Sequence, residues 1–108
     1  MPLYNKLVRD RIPQVIESTG RRFSTRILDE AEYIAELKKK SYEELEEYMA
    51  TTNKDEAIEE LADLLEIIHA FAEHHGSSIQ EVEQVRSRKA AERGGFKEKI
   101  FLIEVEDE

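Results

Sequence analysis

The sequence predicts a mainly α-helical protein built around an antiparallel helix hairpin, with short strands expected near the two ends. Apolar residues recur at helical spacing through the middle of the chain. Three pairs of polar residues, each three positions apart, have the composition of helix capping boxes. The chain contains no cysteine, so its 108 residues need no disulfides and suffice for a single domain spanning 1–108.

The N-terminal part of the chain is expected to hold one short helix and one strand. The helix covers 7–18, is interrupted or started near Pro13, and is closed by Gly20. The following RRFSTRIL, at 21–28, favours a short strand or an extended arm.

Two long helices are expected in the middle of the chain. The first begins after Asp29, whose capping partner is Glu32, and runs to about residue 50. After the turn TTN, the second begins at Asn53 and runs to about His75. A turn this short makes the two helices antiparallel neighbours.

The C-terminal part is expected to hold a third capped helix and a final strand. Ser78 and Glu81 form the capping box, and the helix ends near Arg93, before two glycines. The stretch IFLIEV, at 100–105, is rich in residues that favour strands.

Charge is distributed unevenly along the chain. Residues 1–28 carry a net charge of +4, residues 29–83 carry −13, and residues 84–108 are neutral. This pattern argues against nucleic-acid binding, which requires a broad positive surface. No apolar run approaches the roughly 20 residues of a membrane span, and no secretory signal is visible. We therefore expect a cytoplasmic protein that does not bind membranes.

Two acidic pentads, EELEE and EELAD, lie sixteen residues apart on the two long helices. Glu44 and Glu47 form an i, i+3 pair at one edge of the first apolar stripe. Glu60 and Asp63 have the same relation to the second stripe. In an antiparallel hairpin the two pairs can converge at the rim of the core.

Four converging carboxylates repel one another, and without a counter-charge some of them take up protons. A divalent cation removes this repulsion, and oxygen ligands favour Mg²⁺, Mn²⁺ or Ca²⁺. Because Mg²⁺ often shares its coordination sphere with phosphates, the pattern indicates a phosphate-bearing substrate. On spacing alone the alternative stays open that both pentads are solvated surface, as in many glutamate-rich helices.

The chain resembles the MazG-like all-α nucleoside triphosphate pyrophosphohydrolases, in the broad group that includes phosphoribosyl-ATP pyrophosphohydrolase. The family signature is Glu-Glu-x-x-Glu on one helix and Glu-x-x-Asp on the next, and both motifs are present here. YNKLVRDRIP at 4–13 and RSRKAAERGGFKEKIFL at 86–102 resemble a branch of small proteins in this family. The resemblance covers nearly the whole chain and implies the all-α fold of these enzymes.

The resemblance implies hydrolysis of a nucleoside triphosphate, noncanonical or surplus, between its α and β phosphates. The products are a nucleoside monophosphate and pyrophosphate. By position in the motifs, Glu44, Glu47, Glu60 and Asp63 would hold Mg²⁺, with Mn²⁺ as a second option. Glu43 has two open interpretations, because it either activates the attacking water or is merely solvated.

Five basic residues are candidates for binding the phosphates: Lys6, Arg9, Arg88, Lys89 and Arg93. The alternative for each is a local ion pair or a solvated face. The resemblance also implies a homodimer or homotetramer. The apolar surface of the second long helix fits this expectation, since it extends beyond one stripe.

Two other functions stay open as alternatives. Phosphoribosyl-ATP pyrophosphohydrolase, of histidine biosynthesis, is less favoured, because the lead AELKKKSYEELEE lacks the glycine found there. The other alternative is a non-catalytic helical interaction module that keeps the acidic face. The complete four-carboxylate set argues against such a degenerate relative.

Overall fold

The computed structural model describes residues 2–107, and this part of the chain contains four α-helices and no strand. They are α1 (Ile12–Ser18), α2 (Glu30–Met49), α3 (Lys54–His74) and α4 (Ile79–Arg93). The predicted mainly α-helical class is confirmed, and α2 and α3 form the predicted hairpin.

Side-chain caps start the three longer helices where the sequence predicts them. The side chains of Asp29, Asn53 and Ser78 each accept a hydrogen bond from the backbone N–H three residues later. The donor–acceptor distances are 2.8, 2.9 and 3.2 Å. Each such cap typically contributes about 1 kcal/mol to helix stability. Local chemistry therefore fixes where these helices begin.

The first helix is shorter than the predicted 7–18. It begins at Ile12 and has Pro13 in its first turn. An N–H group in this turn has no partner within the helix, so the missing N–H of proline costs no hydrogen bond. After Ser18 the chain reaches Gly20, whose φ of +77° is a backbone conformation that suits glycine. Residues 2–10 approach the hairpin without regular secondary structure.

One register accounts for the contacts between the two helices of the hairpin. At its open end, His74 Nδ1 lies 3.2 Å from Glu30 Oε2. Fourteen residues toward the turn on either helix lie Glu44 and Glu60. These two residues therefore also come to face each other, as two antiparallel helices joined by a short turn require. The buried apolar residues are Leu37 on α2, with Ile67 and Ala72 on α3.

The fourth helix packs on only one side of the hairpin. Within the described residues α4 contacts α3 and has no comparable contact with α2. Its sequence carries few apolar residues, and none of its side chains is fully buried. α4 is therefore attached through a narrow stripe that includes the half-buried Val85 and Ala90.

No strand forms at 21–28 or at 100–105, so the final strand was wrong, and of the two options for 21–28 the strand is excluded and the arm without regular secondary structure is left. Their composition favours strands, but a strand needs a partner to accept and donate its backbone hydrogen bonds. Within residues 2–107 no such ladder is present. Residue composition indicated the preference of these segments, whereas a pairing partner decides whether it is realised.

Much apolar surface is uncovered in the single chain. The accessible surface is 10,201 Å², whereas a compact protein of this mass exposes about 6,000 Å². The radius of gyration is 18.8 Å, against about 13 Å for a compact domain of this length. The exposed apolar residues on the hairpin include Leu45, Ile58, Leu61 and Leu65.

Candidate metal centre

Three acidic side chains from the pentads meet on the hairpin. Glu44 and Glu47 on α2 and Glu60 on α3 each offer a carboxylate oxygen, and these oxygens lie within 4.8 Å of one another. The i, i+3 spacing on α2 places its two members on one face. The register of the hairpin brings the third opposite them. We call these three residues the acidic triad.

Burial makes the acidic triad costly for ionised groups. Glu44 is 8% exposed, Glu60 is half-buried and Glu47 is exposed. One oxygen of Glu44 and one of Glu60, Oε2 in both, are inaccessible to water and have no hydrogen-bond partner in the described structure. A buried carboxylate oxygen without a donor is strongly unfavourable. The fold therefore holds two acceptors ready for a positive partner.

Proton uptake is one way in which the acidic triad can reduce this cost. Burial and the charge of Glu47 raise the pKa of Glu44 above its ordinary value. The pKa of Glu60 is raised to about 7, first because its protonated form can hydrogen-bond to Glu47 and then because of burial. The metal-free site therefore holds a proton at near-neutral pH.

One lysine offsets part of the negative charge, and sequence analysis missed it. Lys40 Nζ lies 3.8 Å from Glu44 Oε1, and both side chains are largely buried. The i, i+4 spacing from Lys40 to Glu44 is the signal that would have indicated the pair. A single lysine still leaves the acidic triad with an excess of negative charge.

Asp63, the fourth predicted ligand, lies outside the acidic triad and pairs with a residue from the N-terminal stretch. Arg9 Nη2 donates a hydrogen bond to Asp63 Oδ1 at 2.7 Å. The charge of Asp63 nevertheless contributes to the raised pKa of Glu44, so the two carboxylates interact. Two residues predicted for different roles, a metal ligand and a phosphate-binding residue, are thus in direct contact beside the acidic triad.

Glu43 and Lys6 lie together on the α2 side of the hairpin. Both are exposed, and both line a small pocket of about 20 Å³ with Lys40. Because Lys40 also contacts Glu44, this pocket adjoins the acidic triad. The N-terminal stretch therefore brings Lys6 and Arg9 to the neighbourhood of the carboxylates.

The three basic candidates on α4 are not tied to this site. Arg88, Lys89 and Arg93 are exposed. Within residues 2–107, no hydrogen bond or ion pair joins any of them to an acidic residue of the pentads. Among the helices of residues 2–107, α4 packs against α3 and no other, so the single chain brings the N-terminal basic residues to the acidic triad but not the C-terminal ones.

The donor set fits a hard divalent cation. The acidic triad offers carboxylate oxygens alone, which suit Mg²⁺ or Mn²⁺ better than softer metals. The two buried oxygens without partners are satisfied when a cation takes the place of the proton. Glu44, Glu47 and Glu60 are therefore the residues that could hold the metal.

Comparisons with known proteins establish no family for this chain. No family model and no solved structure matches it. An uncharacterized protein of Mycolicibacterium smegmatis is 44% identical to it over 54 residues, half of this chain. The match covers 55% of that relative, so the chain spans about half the length of the curated relative it matches. Among the described residues, no helix is long and apolar enough to cross a membrane.

Proposed function

We propose that the protein is a Mg²⁺-dependent pyrophosphohydrolase that converts a noncanonical or surplus nucleoside triphosphate to a monophosphate and pyrophosphate. The observation that carries this proposal is the acidic triad, in which two buried carboxylate oxygens have no hydrogen-bond partner. A stabilising surface network would pair opposite charges, whereas this site gathers like charges in a partly buried position. Groups with perturbed pKa values arranged in this way are typical of functional sites.

The sequence motifs support the substrate class. The acidic triad is made of residues from the two acidic motifs on which the resemblance to MazG-like enzymes is based. The N-terminal stretch of the same resemblance supplies Lys6 and Arg9 near it. Negative side chains for a cation, with positive side chains alongside, suit a substrate that carries both metal and phosphates.

The residues of the chain have distinct roles in the proposed reaction, which adds water across the α–β phosphoanhydride. Glu44, Glu47 and Glu60 hold Mg²⁺, or Mn²⁺ in its place, and Asp63 is the fourth ligand in the family motif. When bound, the ion supplies charge neutralisation for the phosphates and acidifies a water molecule. The exposed Glu43 is the candidate to accept a proton from that water.

Positive side chains orient the substrate in this proposal. Arg9, half-exposed beside Asp63, is placed to exchange its carboxylate partner for a phosphate oxygen. Lys6 offers a second cation from the adjoining pocket. Arg88, Lys89 and Arg93 are proposed to bind phosphates too, and in a homodimer or homotetramer they could act on the site of another copy. We propose a cytoplasmic location for this activity.

The experiment that tests the function measures pyrophosphate release in Mg²⁺ from a panel of canonical and damaged nucleoside triphosphates, with phosphoribosyl-ATP included. Wild type is compared with Glu60→Gln, which removes one ligand charge with little change in shape. Glu59→Gln is the matched control, because Glu59 is an exposed neighbour outside the acidic triad.

We expect Mg²⁺-dependent release of pyrophosphate from at least one nucleoside triphosphate in wild type and in Glu59→Gln. In Glu60→Gln we expect a loss of about 100-fold or more, equivalent to about 2.7 kcal/mol of barrier. Release from phosphoribosyl-ATP alone would move the protein to the biosynthetic reaction. No release from any substrate by the folded protein would overturn the proposal and leave a helical interaction module.

A further inference from the structure

The C-terminal segment, residues 96–107, is rich in large apolar side chains that the chain itself does not cover. Each of the six is between 72% and 99% exposed. They are Phe96, Ile100, Phe101, Leu102, Ile103 and Val105. Contiguous apolar patches of this kind are rare on monomers and mark surfaces that contact something else. These side chains therefore indicate that the C-terminal segment binds to another surface, which covers them.

A groove on the fourth helix offers such a surface. It has a volume of about 430 Å³, and its apolar lining residues are Val82 and Val85. Its polar lining residues, which we call its rim, are Ser77, Glu81, Arg86 and Lys89. We call it the α4 groove. The C-terminal segment of the same chain is present in the structure and stays exposed, so it does not fill this groove.

Charge makes the α4 groove a better match for the C-terminal segment than the exposed hairpin. The apolar run is followed by Glu104, Glu106 and Asp107. At the rim of the groove, Lys89 has no ion-pair partner in residues 2–107, whereas Arg86 is held by Glu83. The rim carboxylate of Glu81 accepts a hydrogen bond from the Ser77 hydroxyl.

Two further basic side chains lie near Lys89 on the same helix, Arg88 before it and Arg93 after it. The hairpin, by contrast, carries both acidic pentads, which would repel the acidic end of the segment.

The chain as a whole leaves more area exposed than a contact between two copies needs to bury. The chain exposes 10,201 Å², about 4,000 Å² more than a compact protein of its mass. A standard protein–protein interface buries only about 800 Å² per partner. We propose that the C-terminal segment of one copy binds in the α4 groove of a second copy. A two-fold symmetric pair makes this contact twice, because each copy carries both surfaces.

This exchange goes beyond the proposed function and depends on no step of it, so its test needs no substrate. The chain contains no natural cysteine, and each introduced thiol is therefore a unique reporter. Val82→Cys labels the α4 groove and Ile103→Cys labels the C-terminal segment. The two single variants are mixed, oxidised mildly and run on a non-reducing gel. Because each protein in this mixture carries a single thiol, every disulfide joins two molecules.

The control mixture pairs Val82→Cys with Glu17→Cys, since Glu17 is exposed on α1 and belongs to neither surface. We expect on the order of tenfold more cross-linked dimer from the first mixture, because docking raises the effective concentration of the two thiols. Cross-linking at the level of the control would overturn the proposal. The proposal would also be overturned if the double variant Val82→Cys/Ile103→Cys formed its disulfide only within one molecule.

A second measurement does not depend on thiol chemistry. Leu102→Asp places a charge in the apolar run, and its exposed position in the single chain leaves the helices intact. Sedimentation equilibrium should show self-association weakened about tenfold or more, a loss of about 1.4 kcal/mol. Arg11→Asp, an exposed change of similar type outside both surfaces, should leave it unchanged. Unaltered association of Leu102→Asp would contradict the exchange.

Discussion

The two ends of the α2–α3 hairpin differ in the charges that face each other across the two helices. At the open end, Glu30 faces His74, an acid opposite a base, at 3.2 Å. Fourteen residues closer to the turn, Glu44 faces Glu60, and Glu47 lies beside them. The first arrangement is ordinary for a helix pair, whereas the second opposes folding. A site that works against stability indicates a function that requires it.

Burial sharpens the contrast between these ends. Glu30 is exposed, so its pairing with His74 contributes little. Glu44 is buried, so its negative charge has large consequences. Changes at the acidic triad should therefore have large, cation-dependent effects, whereas changes at the open end should have small, cation-independent ones.

The largest effect is expected for stabilisation by a cation. At a Mg²⁺ concentration 100 times its dissociation constant, wild type should gain about 2.7 kcal/mol of unfolding free energy. Glu44→Gln should lose most of this gain, because it removes the most deeply buried of the proposed ligands. Thermal unfolding with and without Mg²⁺ measures both. Glu46→Gln, an exposed neighbour on α2, is the control and should respond as wild type does.

The next effect is the pH dependence of the metal-free protein. The pKa of Glu60 is about 7 in the folded state, above its ordinary value, and the pKa of Glu44 is raised too. The folded state therefore binds more protons than the unfolded state between about pH 4.5 and 7. The free energy of unfolding should fall as the pH rises through this window and level off above about pH 8.

Urea unfolding in the presence of a chelator checks this at several pH values. Glu60→Gln should flatten the profile, since an amide does not titrate. A wild-type profile that is flat between the two limits would contradict the acidic triad as described. Saturating Mg²⁺ should also remove the decline, because the cation replaces the proton.

A smaller effect is expected from the ion pair beside the acidic triad. Arg9→Gln removes an exposed pair and should change the stability by less than about 1 kcal/mol. It should also tighten Mg²⁺ binding about two- to fivefold, because it removes a positive charge from Asp63. Arg11→Gln, at an exposed position nearby, controls for net charge. Weaker Mg²⁺ binding by Arg9→Gln would show that the arginine supports the cation site.

The smallest effect is expected at the open end of the hairpin. His74→Gln should cost less than about 1 kcal/mol in unfolding free energy, because its partner Glu30 is largely exposed. Mg²⁺ affinity should be unchanged. A loss of Mg²⁺ affinity comparable to that of Glu60→Gln would show that the two ends of the hairpin are coupled, and would contradict the difference between them.

The helices and part of the site followed from the sequence for local reasons. The caps at Asp29, Asn53 and Ser78 act over three residues, so their outcome can be derived from neighbours alone. The pairing of Glu44 with Glu60 followed from two helical spacings and a short turn. Neither step needs knowledge of distant parts of the chain.

Features that depend on distant partners could not be derived in this way. Arg9 and Asp63 are 54 positions apart, and nothing local predicts that they meet. The stretches 21–28 and 100–105 have strand composition, yet within residues 2–107 neither finds a partner. The exposure of the apolar side chains in the C-terminal segment could not be derived either, because sequence alone does not show what covers an apolar residue.

A calorimetric titration of the metal-free protein with Mg²⁺ and Mn²⁺ tests directly whether the acidic triad binds a cation. Wild type, Glu60→Gln and the control Glu59→Gln are compared at one pH, in the absence of nucleotide. We expect saturable binding in wild type and Glu59→Gln, with release of protons, and binding at least about tenfold weaker in Glu60→Gln. Equal binding by all three proteins, or no binding by any, would contradict the acidic triad as a metal centre.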